Sequence, residues 1–132
     1  MKENVKRAAI ELIEAKNFAH IATLRKNGAP HVTPVWVDYD GEFVLVNTLK
    51  GRIKERNVAR DPRVAIDVMD HNSPYRNVVI LGRVVSVTRE GADKHIDKLA
   101  KKYTGKDKYV GQLGEVRILI KIKPEHWSYY NV

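Results

Sequence analysis

Two Asx-Gly pairs constrain the fold of this chain more than any other feature of its sequence. Asn27-Gly28 and Asp40-Gly41 both suit the positive φ angles of tight hairpin turns. Beside them lie three segments rich in apolar and β-branched residues, at 19–25, 30–39 and 42–47. Strands joined by successive hairpins pair antiparallel with their neighbours in the chain. The sequence therefore predicts an antiparallel β-meander.

The rest of the chain predicts three helices and three more strands around this meander. Apolar residues at helical spacing indicate an N-terminal helix over 4–16, and Pro62 ends a second helix over 50–61. Gly82 interrupts a long apolar segment, which indicates a strand with a bulge. The remaining predictions are a helix over 91–103, strands over 63–69, 77–89 and 116–123, loops over 71–74 and 104–115, and a short aromatic tail over 124–132.

Together these elements predict a mainly β (α+β) fold. We expect a six-stranded antiparallel barrel with peripheral helices, in a single domain over residues 1–132. Two strand segments, 43–46 and 78–81, are apolar on both faces. One face fills the barrel, and the chain is too short to cover the other, so a homodimer is predicted.

Composition excludes several classes of protein and of site. The chain has no cysteine, which excludes disulfides, thiolate metal sites and a cysteine nucleophile. Its five histidines share no metal-ligand spacing, so no metal site is predicted. No apolar run approaches the roughly 20 residues that cross a bilayer, and the first residues lack the apolar core of a secretory leader. We therefore expect a cytoplasmic protein without membrane contact.

The net charge of +8 is concentrated in two basic segments. Residues 47–63 carry six basic and two acidic side chains, and so do residues 94–108. In the first segment, Thr48, Arg52 and Lys54 lie at the start of a predicted helix, whose free N–H groups and dipole favour an anion. This segment is either an anion site or a solvated basic helix. The lysines of the second are interpreted as the solvated face of a helix, with nucleic-acid binding as the alternative.

Pro34 and Trp36 mark an irregular place in the second predicted strand. Because proline cannot donate to a sheet ladder, Pro34 is expected at an edge or a bulge. Backbone groups freed in this way can contact the polar edge of a heteroaromatic ring. Trp36 would then face a bound ring, or alternatively it packs in the core next to a simple bulge.

Several segments together resemble the pyridoxamine 5'-phosphate oxidase-like superfamily of split-barrel flavoproteins. They are residues 18–24, 28–37, 47–57 with 60–64, 74–76 and 82–84. Within that superfamily the chain is most similar to the branch that uses the deazaflavin coenzyme F-420. The resemblance implies a dimeric split β-barrel of the FMN-binding type, with two cofactors in grooves at the subunit interface.

Carried over by position, the resemblance also implies a set of cofactor-binding residues. Residues 32–37 would line the ring, and Asn47 and Thr48 its ribityl-phosphate side. Residues 52–54 would hold the phosphate with Asn57 nearby, and residues 75–77 would reach in from the partner subunit. The full set is Val32, Thr33, Pro34, Val35, Trp36, Val37, Asn47, Thr48, Arg52, Ile53, Lys54, Asn57, Tyr75, Arg76 and Asn77.

The function implied is an oxidoreductase that transfers hydride between coenzyme F-420, or alternatively FMN, and a small organic substrate. Ile53-Lys54 stands where the vitamin-synthesis oxidases commonly have Arg-Lys, and their longer C-terminal segment is missing. Oxidation of pyridoxamine phosphate is therefore not expected. No side chain is assigned as catalytic, because the cofactor carries the hydride. A cofactor-carrier module without turnover and a nucleic-acid-binding protein are the alternatives.

Overall fold

The computed structural model describes residues 2–131, which form three helices and seven strands. In chain order these are α1 (Glu3–Glu14), β1 (Ala19–Leu24), β2 (Pro30–Val35), β3 (Val37–Tyr39), β4 (Val44–Leu49), α2 (Ile53–Arg60), β5 (Arg63–Asp70), β6 (Ser73–Thr88), α3 (Ala92–Thr104) and β7 (Arg117–Asn131). None of the helices in this part of the chain is long and apolar enough to cross a membrane.

All seven strands belong to one antiparallel sheet in the order β2-β1-β5-β6-β7-β4-β3. Its two edge strands, β2 and β3, are consecutive in the chain and are separated only by Trp36. Because one residue joins the two edges, the sheet has to curl until the end of β2 and the start of β3 come close together. This confirms the prediction of a mainly β, antiparallel fold with peripheral helices, and the structure shows its sheet as curled.

The sheet has seven strands where six were predicted, because residues 30–39 form two strands. The first, β2, pairs with β1, whereas β3 pairs with β4 at the opposite edge of the sheet. Trp36 is the point at which the chain crosses between them. Pro34 lies in the edge strand β2, as predicted, where the missing N–H costs no ladder hydrogen bond to a further strand.

The C-terminal segment differs most from the prediction. Residues 124–131, predicted as a short tail, continue β7 and pair with residues 76–82 of β6, and Val132 lies outside the described residues. β6 likewise begins at Ser73, within the predicted loop 71–74. Each strand supplies the backbone partners of the other, so this long ribbon depends on pairing rather than on local pattern.

Gly82 lies at an irregularity of this ribbon, as predicted. The register between β6 and β7 shifts between Leu81 and Gly82, and Gly82 then faces Pro124. A Cβ on Gly82 would stand 2.6 Å from the carbonyl oxygen of Lys123 and 2.9 Å from Cγ2 of Ile122. The two backbones can approach this closely only because residue 82 has no side chain.

The core lies between the concave face of the sheet and α1. Ala9, Leu12 and Ile13 of α1 are buried there, as the helical spacing predicted. They pack with inward side chains from the strands, among them Ile21, Val46, Ile66, Ile80 and Ile120. A second cluster forms where α3 buries Ile96, Leu99 and Tyr103 against Trp36.

Lys102 does not lie on a solvated face of α3, which corrects the prediction for that helix. Its ammonium group donates to the carbonyl oxygens of Ile13, at 2.6 Å, and Val37, at 2.7 Å, and so ties α3 to α1 and β3. Other lysines of the second basic segment pair with carboxylates: Lys98 with Asp38, Lys101 with Asp107 and Lys108 with Asp97. Much of this segment's positive charge is therefore compensated within the fold.

Candidate functional site

A groove of about 410 Å³ opens beside the junction of β2 and β3, within the size range of small-molecule sites. The end of β4, the start of α2, α3 and the segment before β7 form its other walls. The lining residues are Phe18, Pro34, Val35, Trp36, Asn47, Thr48, Leu49, Arg52, Lys54, Ile96, Tyr109, Glu115 and Arg117. The groove has an aromatic wall at Trp36 and a basic end at Arg52 and Lys54.

The structure brings many of the predicted site residues to this one groove. They are Pro34, Val35, Trp36, Asn47, Thr48, Arg52 and Lys54. Thr33 joins them indirectly, because its hydroxyl accepts a hydrogen bond from the Lys54 ammonium at 3.1 Å.

Other predicted site residues lie elsewhere. Val37 is fully buried in the core and Val32 is exposed. Ile53 borders a neighbouring basic pocket, and the Asn57 amide bonds to the Thr23 hydroxyl at 2.9 Å. The three residues predicted to come from a partner lie on β6: Tyr75 is exposed, while Arg76 and Asn77 bond to side chains of their own subunit, Tyr129, Asp70 and Asp67.

The basic end of the groove holds a buried cation. Lys54 is 8% exposed, and burial, with a further contribution from Arg52, lowers the pKa of its ammonium group below 10.5. Within residues 2–131, neither Lys54 nor Arg52 has a carboxylate at salt-bridge distance. Because a buried charge without a partner is costly, this end of the groove favours an anion.

A tight turn before α2 places these two cations. Gly51 has a φ of +89°, which a residue without a side chain adopts without strain, and its N–H donates to the Glu55 carboxylate at 2.7 Å. Arg52 follows as the extended N-cap residue of α2. The Glu55 carboxylate, in the first turn of α2, thus bonds to the backbone rather than to either cation of the groove.

The aromatic wall is a stack anchored by Tyr103. The Trp36 ring lies 5.2 Å from Tyr103 at an angle of 8°, and Tyr103 stacks in turn on Phe18 at 5.5 Å. The Tyr103 hydroxyl donates to the carbonyl oxygen of Asn17 at 2.6 Å, and the Val37 N–H donates to that hydroxyl at 3.2 Å. These contacts fix the position of the aromatic wall. Trp36 packs on Tyr103 and also borders the groove.

Asn47 and Arg117 add a polar edge to the groove. The Arg117 Nε–H donates to the Asn47 amide oxygen at 2.8 Å, and the guanidinium carbon lies 5.0 Å from the centroid of the Tyr109 ring. The carboxylate of Glu115 is 3.7 Å from the guanidinium. Arg117 is thus oriented by an amide, an aromatic face and a carboxylate.

Sequence reasoning missed Phe18, Leu49, Ile96, Tyr109, Glu115 and Arg117 as groove residues. Two of them, Leu49 and Arg117, are brought together by the pairing of β4 with β7, in which they lie opposite each other. That pairing joins residues far apart in the chain, so no local pattern reveals it. Within residues 2–131, no three acidic or histidine side chains come together as a metal site would require.

Replacing Lys54 by methionine should stabilise the ligand-free protein by about 1 kcal/mol, because it removes a buried cation without a carboxylate partner. Since folding lowers the pKa of Lys54, the charged form opposes folding at neutral pH. The gain should shrink as the pH rises toward 10.5, where the amine loses its charge in the unfolded chain as well. Urea unfolding of both proteins at several pH values measures this, with the exposed Lys101→Met as control. An equal or lower stability of Lys54→Met at pH 7 would contradict it.

Solved structures share this fold. An F-420 reductase matches with 29% identity and a TM-score of 0.79, over 89% of this chain and 94% of the reductase. A conserved hypothetical protein from Mycobacterium tuberculosis matches with 21% identity and a TM-score of 0.75, over 99% of this chain and 85% of the other. General stress protein 26 from Bacillus anthracis matches with 17% identity and a TM-score of 0.73, over 96% and 94%. The latter two show the shared fold alone.

A search of curated protein sequences gives no match. The family model described as pyridoxamine 5'-phosphate oxidase, in contrast, matches residues 5–131, which is nearly the whole chain. This match confirms the resemblance seen in the sequence, and it agrees with the curled antiparallel sheet and with the fold of the similar structures. The chain belongs to the pyridoxamine 5'-phosphate oxidase family.

Proposed function

We propose that this protein is an oxidoreductase that binds coenzyme F-420, or alternatively FMN, in the groove and passes hydride to or from a small organic substrate. The observation that carries the proposal is the buried, uncompensated cation Lys54 beside Arg52 at one end of a groove with an aromatic wall. The similarity to an F-420 reductase supports the deazaflavin over FMN.

The residues of the groove fit a phosphorylated coenzyme with a flat ring. Lys54 and Arg52 supply cations for a phosphate, and the Thr48 hydroxyl beside them can donate to it. Trp36 and Pro34 offer a flat apolar surface for the ring, and Asn47 with Arg117 offers polar groups in the same groove. When bound, the coenzyme supplies the hydride: a deazaflavin transfers electrons in pairs, whereas FMN also permits one-electron and oxygen chemistry.

The chain's own part in the reaction is to position the coenzyme and the substrate and to exclude competing reactions. The stack of Trp36 on Tyr103 fixes one wall, while Arg117, held by Asn47, fixes a polar edge of the groove. Rigid walls hold two reactants in a reactive geometry, which lowers the entropic part of the barrier. No side chain is assigned as a proton donor, since solvent can protonate the product.

Trp36→Ala should lower both stability and coenzyme affinity, because the half-buried indole packs on Tyr103 and also lines the groove. We expect a loss of about 1–3 kcal/mol in unfolding free energy, less than the roughly 3–5 kcal/mol of a fully buried aromatic. Trp36→Phe should keep the stacking and most of both properties. Thermal unfolding and fluorescence titration of the same samples test this. An unchanged affinity in a folded Trp36→Ala protein would place the ring elsewhere.

We further propose that the protein is a homodimer in which the partner's residues 75–77 complete each site. Alternate side chains of β6 leave three apolar residues on the outer face, Leu81, Val85 and Val87, between 38% and 51% exposed, with the exposed Arg83 between Leu81 and Val85. Tyr75, on the same strand, is 67% exposed. A face of this kind is costly to leave in water and suits a second copy.

Light scattering at micromolar protein concentration should therefore give twice the mass of one chain. An interface of the obligate type buries more than about 2,000 Å². Replacing Val85, on the outer face of β6, by lysine should weaken the dimer, whereas Lys94→Glu on α3 should not. A wild-type mass of 15.1 kDa would overturn the dimer.

A carrier module without turnover would bind the same coenzyme in the same groove. Titration of the ligand-free protein with coenzyme F-420 and with FMN, followed by mass spectrometry of the complex, tests binding. Steady-state reduction of enones and quinones by the loaded protein then separates an enzyme from a carrier. Nucleic-acid binding is not favoured, because Lys98, Lys101, Lys102 and Lys108 already have partners within the fold. Failure of both coenzymes to bind would overturn the proposal.

A further inference from the structure

A chain of hydrogen bonds runs from the interior of the protein to the polar edge of the groove. His95 of α3 and Asp38 of β3 are both 8% exposed, and the His95 Nε2 lies 3.1 Å from the Asp38 carboxylate. On the other side of the ring, Nδ1 lies 3.3 Å from the amide nitrogen of Asn47. Asn47 in turn accepts the hydrogen bond of Arg117 at 2.8 Å. Asp38, His95 and Asn47 are thus linked in series to the arginine that lines the groove.

The partners of Asn47 determine which way its amide points. Arg117 Nε–H can only donate, so the atom that faces it is the amide oxygen. The carbonyl oxygen of Ala92 can only accept, so the amide nitrogen faces it, at 2.8 Å. The second hydrogen of that nitrogen is left for His95. The orientation therefore follows from chemistry and needs no assumption about the amide itself.

This orientation also determines the tautomer of His95. Because the Asn47 nitrogen donates, Nδ1 of His95 has to accept and carries no proton. The proton of the neutral ring is then on Nε2, where it is donated to Asp38. Burial alone raises the pKa of Asp38, but hydrogen bonds from His95, Lys98 and the Tyr39 N–H outweigh this and hold the pKa well below its usual range. Asp38 is therefore a charged acceptor at neutral pH.

We propose that His95 is a positioning residue: together with the Ala92 carbonyl oxygen, the Nε2–H tautomer of His95 holds the amide of Asn47, which in turn holds the Arg117 guanidinium at the edge of the groove. This inference rests on the proposed function in one respect only, that the groove binds a coenzyme. If the Asn47 amide rotated, its nitrogen would face the Arg117 Nε–H and the hydrogen bond would be lost.

The hydrogen bond to Asn47 uses Nε of Arg117 and leaves the two terminal nitrogens for a ligand. Within residues 2–131 they make no hydrogen bond, and the Glu115 carboxylate is 3.7 Å away, beyond hydrogen-bond distance. Arg117 lines the groove, and its side chain is only 12% exposed. A carbonyl or carboxylate oxygen of the coenzyme or substrate is the group that such a planar donor recognises.

The positioning role can be tested without any coenzyme, by ¹⁵N NMR of the full-length protein. At pH 7.5 the His95 ring should show one protonated nitrogen, Nε2, and one unprotonated nitrogen, Nδ1. The Arg117 Nε–H should exchange slowly with solvent in the wild type, and at least tenfold faster in His95→Phe. His126→Phe, at an exposed histidine, should leave this exchange unchanged. A protonated Nδ1 in the wild type, or an unchanged exchange rate in a folded His95→Phe, would overturn the inference.

A coenzyme titration then tests whether His95 acts through Arg117. We expect His95→Phe to weaken binding at least threefold and Arg117→Met about tenfold, with the double variant no weaker than Arg117→Met alone. His95→Gln should recover part of the affinity, because its amide oxygen can accept from Asn47. Additive losses would show that His95 does not act through Arg117 and would overturn the inference. If the wild type binds neither coenzyme, the proposed function fails, while the exchange measurement still decides the role of His95.

Discussion

Lys54→Ala should weaken the binding of coenzyme F-420 by roughly ten- to a hundredfold. A charge-assisted hydrogen bond to a phosphate contributes about 1.5–3 kcal/mol, and each 1.4 kcal/mol is about tenfold in Kd. The effect should approach the upper end, because Lys54 is buried and water cannot replace its ammonium group. Fluorescence titration at moderate salt measures the change.

The matched control is Lys101→Ala, which removes the same charge from an exposed position paired with Asp107. It should leave affinity unchanged, whereas equal losses in both variants would mean that net charge alone attracts the coenzyme and that the phosphate site is misplaced. Adding Thr48→Ala to Lys54→Ala should cost less than the sum of the single changes, since both side chains would bind one phosphate. Riboflavin, which has no phosphate, should respond little to either substitution.

Gly82→Val should lower the melting temperature by roughly 3–15 °C. A Cβ at this position would stand 2.6 Å from the carbonyl oxygen of Lys123 and 2.9 Å from Ile122, so the β6–β7 ribbon has to separate. Overpacking of this kind costs about 1–3 kcal/mol or more, and each kcal/mol lowers the melting temperature by roughly 3–5 °C at this chain length. Strand propensity alone predicts the opposite result, because valine is a better strand former than glycine.

Gly41→Asn is the control for glycine replacement in general. Gly41 has a φ of +99°, and a Cβ added there would meet no atom within 4 Å. Asparagine tolerates left-handed backbone better than most residues. We expect only a small decrease in the melting temperature of this variant, from the strain that a side chain meets at this φ, and a smaller decrease than in Gly82→Val. A stable Gly82→Val protein would show that the ribbon can widen locally and that the close approach at Gly82 is not required for the fold.

Much of the fold could be predicted because its signals are local. The Asx-Gly turns end β1 and β3 where predicted, and the inward faces of α1 and α3 follow from helical spacing. Pro34 at a sheet edge and Gly82 at a register shift follow from backbone chemistry within a single residue. The errors lie where a strand depends on its partner: β7 extends over the predicted tail because β6 is there to pair with it.

The same distinction, between local signals and pairing of distant strands, applies to the candidate site. Thr48, Arg52 and Lys54 could be predicted as a group because they are neighbours around one turn, whose backbone needs only a glycine and an N-cap residue. The sequence by itself determined those turns, helix faces and the basic end of the groove. Only the tertiary structure decided that Arg117 meets Asn47, 70 residues away, since no periodicity or charge pattern records which strands pair. It also decided that Lys102 points inward, because the carbonyl groups that bind it, at Ile13 and Val37, belong to other elements.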